Sequence, residues 1–520
     1  MGGDGGGGGG GVGGIVLDCS VLLAAEVDEN GNPSLSIGAQ YLLPKLRYSN
    51  IPTGISYGLG LSANKVSLLE RIAKLYSFHR FIMNASSVDD TVNEIALAWH
   101  EAGGRFLYVA STCNENLSLR LISHGWFIII LRSLGQELAE GIRSGEIDNS
   151  SVIYIDKLEE LPSTICHFNR KVMGNDHVTV GYIMKPSREA DFAKRGAFPW
   201  YPTESGLIFM PITFELNVSS QLEEVDVILH KSTDEIISVE KGISSEFLDK
   251  ITYTRGIQEL ERYIESHPFV GIVDPLNKIV PVLDRLQIQQ ILLDLGNLNM
   301  EARCKIRGPH FLKVDNFDEA DLAERLLAAK LTPPSIVKPQ VACGVPDAHS
   351  MAIVFRAQDY SSLNVPLPAV VQEFVDHSCT IFKFYVLGER IFYAVKKSIP
   401  NANSLAKLSE KNGLKPLLFD SLKSLPDAKE NEDHQKTSHL QLDLALATDA
   451  ACWLRKRLDL TIFGFDVVIQ ETTGDHVIVD VNYLPSFKEV PDDVAIPAFW
   501  EAIKSKYKLR RINEATGAAS

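Results

Sequence analysis

Phe463-Gly-Phe-Asp466-Val-Val-Ile-Gln-Glu-Thr-Thr-Gly474-Asp-His-Val-Ile-Val-Asp480-Val-Asn482-Tyr-Leu-Pro-Ser486 reads as two apolar β runs around a Thr-Gly turn, the pattern of a hairpin. Asp480 and Asn482 stand two apart in an extended run, so their side chains leave the same face of the sheet. Asp466 enters from the paired strand. Three oxygen-bearing side chains converging on an otherwise greasy hairpin suit a hard cation such as Mg2+, held by one or two carboxylates while phosphate supplies further ligands. The alternative is a hairpin whose polar residues simply face water. Val467 to Ile469 and Val477 to Val479 argue against it, because continuous apolar runs of this kind are buried on both faces. A buried acid in such a strand needs a counter-charge.

The chain around this hairpin has 520 residues and is 45% hydrophobic, enough for two or three domains with real cores. No apolar run reaches the length of a membrane span. The opening glycine tract has neither the basic and apolar regions of a signal peptide nor the Ser or Thr of a myristoylation motif, and residues 1–14 read as a disordered tail. Seven cysteines without a Cys-x-x-Cys pair fit neither a disulfide framework nor a structural zinc site, which places the protein in a reduced compartment, cytoplasm or nucleus. A formal charge of −15 argues against general nucleic-acid binding. It leaves room for a small phosphorylated ligand in a locally basic cleft. No long exposed apolar stripe demands a partner, so a monomer is expected.

Short apolar strands such as Ile15 to Leu17, Phe106 to Ala110 and Phe127 to Leu131 alternate with helical stretches, predicting an α/β module with a mainly parallel sheet over 15–200. Lys185 to Ser205, with Lys-Pro-Ser-Arg-Glu and Phe-Pro-Trp-Tyr-Pro, reads as a connection. Beyond it, strands separated by turns and short helices predict an α+β core with antiparallel sheets over 205–512. Polar Ser424 to Ser438 reads as a mobile insertion in that core, and 513–520 as a tail.

Basic groups in the second half sit at strand ends or beside breakers. His230-Lys231 follows Val-Asp-Val-Ile-Leu, and Asp284-Arg285 offers an Arg for phosphate with an Asp to hold it in place. Lys338 ends a strand before Pro339 and precedes a loop containing Gly344 and His349. This suits a nucleotide phosphate held by a point charge under a closing loop, though it is not a Walker A motif. Val370-Val-Gln372-Glu373-Phe374-Val375 is an apolar strand entering an acidic linker, an edge able to read adenine. Lys383 lies between Phe382 and Phe384 inside a strand and needs an anionic partner or an open cleft. Lys396-Lys397-Ser398 follows.

In order and spacing, from about Leu222 to Lys506, these pieces together resemble the inositol 1,3,4-trisphosphate 5/6-kinase family (inositol-tetrakisphosphate 1-kinases), plant members especially. The resemblance implies an ATP-grasp kinase core. It implies metal binding by Asp466, Asp480 and Asn482, with two Mg2+ ions, and ATP contacts from Arg285, Lys338, Gln372, Glu373, Phe374, Val375, Lys383 and Ser398. Lys231, His349, Lys383 and Asn482 would hold the inositol phosphate. The implied reaction is in-line transfer of the γ-phosphoryl group of ATP to a ring hydroxyl, within inositol phosphate and phytate metabolism. Positioning and electrostatics carry such chemistry, and no general base is nominated.

The family also opens with a strand and helix of Gly-Tyr-x-Leu-Ser-x-Lys-Lys-Val type a few dozen residues before His-Lys. Here Ser56-Tyr57-Gly58 with Lys65 is similar but far upstream, which means either a long insertion or replacement of the strand by Gly206 to Thr213. The amino-terminal third resembles haloacid-dehalogenase-like phosphatases through Gly14-Ile-Val-Leu-Asp18-Cys-Ser20 and Phe106 to Thr112. Ser20 stands where that motif needs a second Asp, so an inactive module is expected. Two other function classes share much of the pattern: an ATP-grasp ligase joining a carboxylate to an amine, and a non-catalytic inositol phosphate sensor.

Overall fold

The structure is a computed structural model that describes residues 11–27, 29, 31–84, 86–112, 114–132, 151–173, 177–242, 245–298, 305–410, 413–423, 425–426 and 441–517. The chain divides into two compact units, Met1–Leu229 with Tyr263–Val270 and His230–Arg262 with Gly271–Ser520.

In the first unit a six-stranded sheet runs His79–Ile82, Thr53–Tyr57, Val12–Asp18, Arg105–Ala110, Phe127–Leu131, Val152–Ile155, with every neighbouring pair parallel. The strand alternation explains the two covering layers. Ile15, Leu17, Leu107, Val109 and Ile129 face one buried cluster with Leu42, Leu43, Leu69 and Ile72, while Val16, Tyr108, Ile128 and Ile130 face another with Val92, Ile95 and Trp99. The first strand begins at Val12, inside the stretch read as a tail. The Trp99 ring explains Gly14 there, since a Cβ would meet it at 2.5 Å.

Lys185 to Ser205 corrects the sequence reading: Pro186–Lys194 is a helix with proline in its first turn, where the missing N–H costs nothing. It follows the buried strand Val178–Ile183, which pairs in parallel with Leu207–Pro211. The Phe-Pro-Trp segment after the helix is core, not linker. Phe198 stacks on Tyr182 and Phe192 with centroids 4.1 and 5.7 Å apart, and Asn169 Nδ2 donates to the Trp200 carbonyl at 2.9 Å.

The second unit is built on two five-stranded sheets. One runs Ile306–Arg307, His476–Tyr483, Ile462–Ile469, Thr380–Leu387, Arg390–Lys397, antiparallel except at its first pair. The other runs Phe311–Val314, Ala369–Glu373, Ser335–Pro339, Ser350–Val354, Leu417–Asp420, antiparallel throughout. Ser424 to Ser438 lies outside the described residues apart from Leu425 and Pro426, and the closing helix Asp492–Gly517 continues through residue 513.

A buried polar knot joins the ends of this unit's strands. The Tyr483 hydroxyl donates to the His230 and Val273 carbonyls at 2.9 and 3.1 Å and accepts from the Asp274 amide at 3.0 Å. His230 Nε2 donates to the Asp274 carbonyl at 2.7 Å, and Asp274 Oδ2 accepts from the Thr461 and Ile462 amides at 2.8 and 3.2 Å. Burial pushes His230 down from 6.5 to about 4 and Asp274 up from 3.8 to about 6. The two act in opposite senses. The depressed histidine loses stability as pH falls from 6.5 toward 4, whereas the raised carboxyl gains it as pH falls from 6 toward 3.8, each by about 3 kcal/mol. The native chain should therefore show little net dependence from this pair between pH 4 and 6. His230→Gln, which keeps a donor toward Asp274, should gain stability on acidification relative to wild type. Urea unfolding at several pH values measures this, and parallel curves for the two proteins would contradict it.

Candidate active site

The hairpin aligns Asp466 opposite Asp480 and Gly464 opposite Asn482, and the next strand sets Lys383 opposite Asp466. Cross-strand partners share a face, so Lys383, Asp466 and Asp480 form one transverse row with Asn482 beside it. The opposite face explains why they stay there: Phe465, Val481 and Phe384 are buried, and Phe384 stacks on Phe465 at 4.8 Å. A one-residue slip would drive these rings into solvent.

Lys383 Nζ donates to Asp466 Oδ2 at 2.9 Å, and Asn482 Nδ2 donates to Asp480 Oδ2 at 2.8 Å. Burial and then the facing Asp480 push Asp466 up to about 6, against the pull of Lys383. Burial opposes the charge of Lys383, but Asp466 outweighs it and holds the ammonium above its ordinary value. Two facing carboxylates, one destabilised by the other, are a standing demand for positive charge. Among the described residues no group of three or more His, Cys, Asp or Glu gathers as a metal cluster. The donor set here is instead two carboxylates and an amide, which fits Mg2+ sharing its coordination with nucleotide phosphates.

Lys338 reaches this row from the other sheet, donating to the Val479 carbonyl at 3.3 Å. Burial pushes it down to about 8, against the attraction of Asp480. Arg285 is also buried, and its two terminal nitrogens serve chain geometry. It donates to the carbonyls of Pro339, Val341 and Ala348 at 2.7, 2.8 and 3.1 Å and to that of Ala342 at 3.3 Å. The loop expected to close freely is thus pinned at its root. Asp284 does not hold Arg285; it caps the following helix, accepting from the Leu286 amide at 2.8 Å, and accepts from the Leu248 amide at 2.8 Å and from Gln340 at 3.0 Å.

Arg285, Gln289, Gln372 and Asp480 line one cavity. Among the described residues Arg285 Nε, Gln289 Oε1 and Gln372 Nε2 are buried without a hydrogen-bond partner. Orphaned polar atoms around a cavity fit a polar ligand. Gln289 is absent from the sequence reading because it sits in an ordinary apolar helix, Arg285–Leu293.

The linker is fixed by a residue the sequence did not single out. Arg307 Nη1 and Nη2 grip Glu373 at 2.8 and 3.0 Å, Nη2 also reaches Gln470 at 3.0 Å, and the His310 amide donates to Glu373 at 3.1 Å. Burial would raise Glu373, but Arg307 holds it below the usual carboxylate range. Its carboxylate is therefore engaged by the protein. Val375 packs with Val468 and Val477, next to half-buried Phe374.

Lys231 Nζ bonds the Tyr483 carbonyl and lies 5.0 Å from that ring, beside Asn482 in sequence. His349 Nδ1 meets the Ser421 hydroxyl at 3.1 Å, and burial followed by Arg285 lowers its pKa. The Ser398 amide donates to the Cys379 carbonyl at 2.7 Å, and the side chain is half-buried.

Lys65 lies on the helix Ala63–Tyr76 that follows the strand Thr53–Tyr57 of the six-stranded sheet. Gly206 to Thr213, the other candidate, contains the buried strand Leu207–Pro211, which pairs in parallel with Val178–Ile183.

In the first unit Asp18 Oδ1 accepts from the Ser20 amide at 2.9 Å, and Oδ2 accepts from Tyr108 and Ser56 at 3.0 and 3.2 Å. The Ser111 amide donates to Ser20 Oγ at 3.1 Å, which brings the two motif-like stretches together.

Two family models match the chain: the ITPK4 N-terminal HAD-like domain over residues 7–171, and the inositol 1,3,4-trisphosphate 5/6-kinase ATP-grasp domain over residues 300–500. The fold and these matches define an ATP-grasp kinase core that follows a haloacid-dehalogenase-like domain in the sequence. Inositol-tetrakisphosphate 1-kinase 6 of Oryza sativa subsp. indica is 47% identical over 504 residues, 96% of this chain and 90% of that protein. The subsp. japonica protein of the same name is also 47% identical, over 505 residues and the same shares of both chains. Inositol-tetrakisphosphate 1-kinase of Danio rerio is 28% identical over 285 residues, 54% of this chain and 68% of that one. The chain belongs to the inositol-tetrakisphosphate 1-kinase family and is an ATP-using inositol phosphate kinase. Among the described residues no helix is long and apolar enough to cross a membrane.

Removing the Arg307 grip should separate structure from ligand. Arg307→Ala is expected to cost ~2 kcal/mol of stability, the scale of a hydrogen-bonded charge left alone. It should weaken ATP several-fold more than the inositol phosphate in calorimetric titrations of each; equal weakening of both contradicts a role specific to the nucleotide linker.

Proposed function

We propose that this chain transfers the γ-phosphoryl group of ATP to a ring hydroxyl of inositol tris- and tetrakisphosphates, as the names of its relatives indicate for them. The observation that carries the site assignment is the row Lys383, Asp466, Asp480 with Asn482, approached from the facing sheet by Lys338. Two Mg2+ ions held by Asp466, Asp480 and Asn482 would supply charge neutralisation of the phosphates and of the transferring group. Lys338 and Arg285, with Gln372 and the Glu373 to Val375 linker, bind and orient the nucleotide. Glu373 contributes through the backbone it fixes, and Ser398 completes this side. Lys383 Nζ sits where it can move from Asp466 to the transferring phosphoryl oxygens and hold their charge. Lys231 and His349 hold acceptor phosphates, and Asn482 places the acceptor hydroxyl.

The amino-terminal module carries no phosphatase chemistry in this reading. Its Asp18 is hydrogen-bonded to Tyr108, Ser56 and the Ser20 amide, and Ser20 has no proton-transfer capacity matching an acid.

Asp480→Ala is expected to lower Mg2+-dependent transfer from labelled ATP by about a thousandfold or more while leaving the fold intact. A wild-type protein that labels no member of an inositol tris- and tetrakisphosphate panel would sink the proposal. Phosphate release requiring a carboxylic acid and an amine instead would select the ligase reading.

A further inference from the structure

The face that carries Lys383 and Asp466 continues along two strands. Registration of Thr380–Leu387 with Arg390–Lys397 pairs Ile381 with Lys396 and Lys383 with Ala394, so Lys383, Tyr385 and Lys396 project from the same side as Asp466, Asp480 and Asn482. A carboxylate is laid over this patch from outside the sheet. Glu489 accepts from the Tyr385 hydroxyl at 2.6 Å and from Lys396 Nζ at 2.7 Å, and both partners hold it below its ordinary pKa although burial opposes this. Its side chain is 19% exposed, while that of Lys396 is 40% exposed. The segment that delivers it is anchored: Phe487 is fully buried against Phe499 at 5.6 Å, and the Val490 amide closes a turn onto the Phe487 carbonyl at 3.1 Å.

Lys396 is half-exposed and would be a ready phosphate ligand if unpaired. With Glu489 in contact it presents no net positive charge, and Tyr385 is turned toward the acid.

We propose that Glu489 is a specificity-determining residue of the acceptor site, cancelling Lys396 so that this corner accepts a ring hydroxyl and rejects a ring phosphate. The inference rests on the inositol phosphate kinase reading above. A carboxylate accepts a hydrogen bond from a hydroxyl, whereas a phosphate brought beside it meets like charge in a partly desolvated cleft. The ligand class is therefore an inositol phosphate that presents a free hydroxyl toward Glu489.

The test is kcat/KM for the full-length enzyme on a panel of inositol tris-, tetrakis- and pentakisphosphate isomers. Glu489→Gln keeps the shape and removes the charge, and is expected to raise the preference for more highly phosphorylated acceptors by at least about tenfold. Lys396→Gln leaves the acid uncompensated and should move the preference several-fold the other way. The gain from E489Q should vanish in the double variant, an outcome that a merely structural role for Glu489 would not give. If E489Q fails to fold, the K396Q shift alone decides. Scaling of all acceptors by one factor, an unmoved profile, or a gain that survives without Lys396 overturns the inference. A wild type inert toward the whole panel overturns the kinase reading beneath it, whereas an active wild type with an unmoved variant profile defeats the inference alone.

Discussion

Two carboxylates facing each other across adjacent strands of a greasy sheet are the constraint on which the catalytic unit depends. Asp466 and Asp480 are held in register by the aromatic and aliphatic side chains on the opposite face, so the chain cannot relieve their repulsion by slipping a strand. Burial, and after it that repulsion, raise Asp466 to about 6, and it captures Lys383. The surrounding architecture supplies further positive charge from another direction, Lys338 from the facing sheet, at a cost in burial that shows in its lowered pKa. Such a site is poor in stability and rich in electrostatic demand, and the proposal of a metal-bound polyphosphate there rests on that demand.

The other charged groups divide into those that face the cleft and those that hold its walls. Arg285 spends its terminal nitrogens on the root of the loop and Arg307 its donors on Glu373, while Asp284 accepts from the amides that start a helix. These are positioning contacts, and they keep the orphaned atoms of Gln289 and Gln372 around one cavity. His230 belongs with them, a neutral buried imidazole tying the end of one strand to the Asp274 backbone.

Much of this was legible in the sequence because strand periodicity is simple. Asp480 and Asn482 two apart, with apolar neighbours, fix their shared face before any coordinates, and the parallel sheet of the first unit follows from runs such as Phe127 to Leu131. What was illegible depended on contacts between distant segments. Nothing local in Arg307 or Glu489 shows that one will fasten Glu373 and the other Lys396, because those meetings are made by the fold. Lys185 to Ser205 misled for a different reason. Proline was read as a breaker when it opens a helix, and Phe198 and Trp200 were read as linker when they are core.

The central claim, that the Asp466 and Asp480 row is where the nucleotide's metal is held, is tested most directly by calorimetric titration of ATP into the full-length protein with and without Mg2+. The wild type should bind ATP markedly more tightly with Mg2+ present, and Asp480→Asn should lose that difference while still binding metal-free ATP. An equal Mg2+ enhancement in the variant and the wild type would contradict the account.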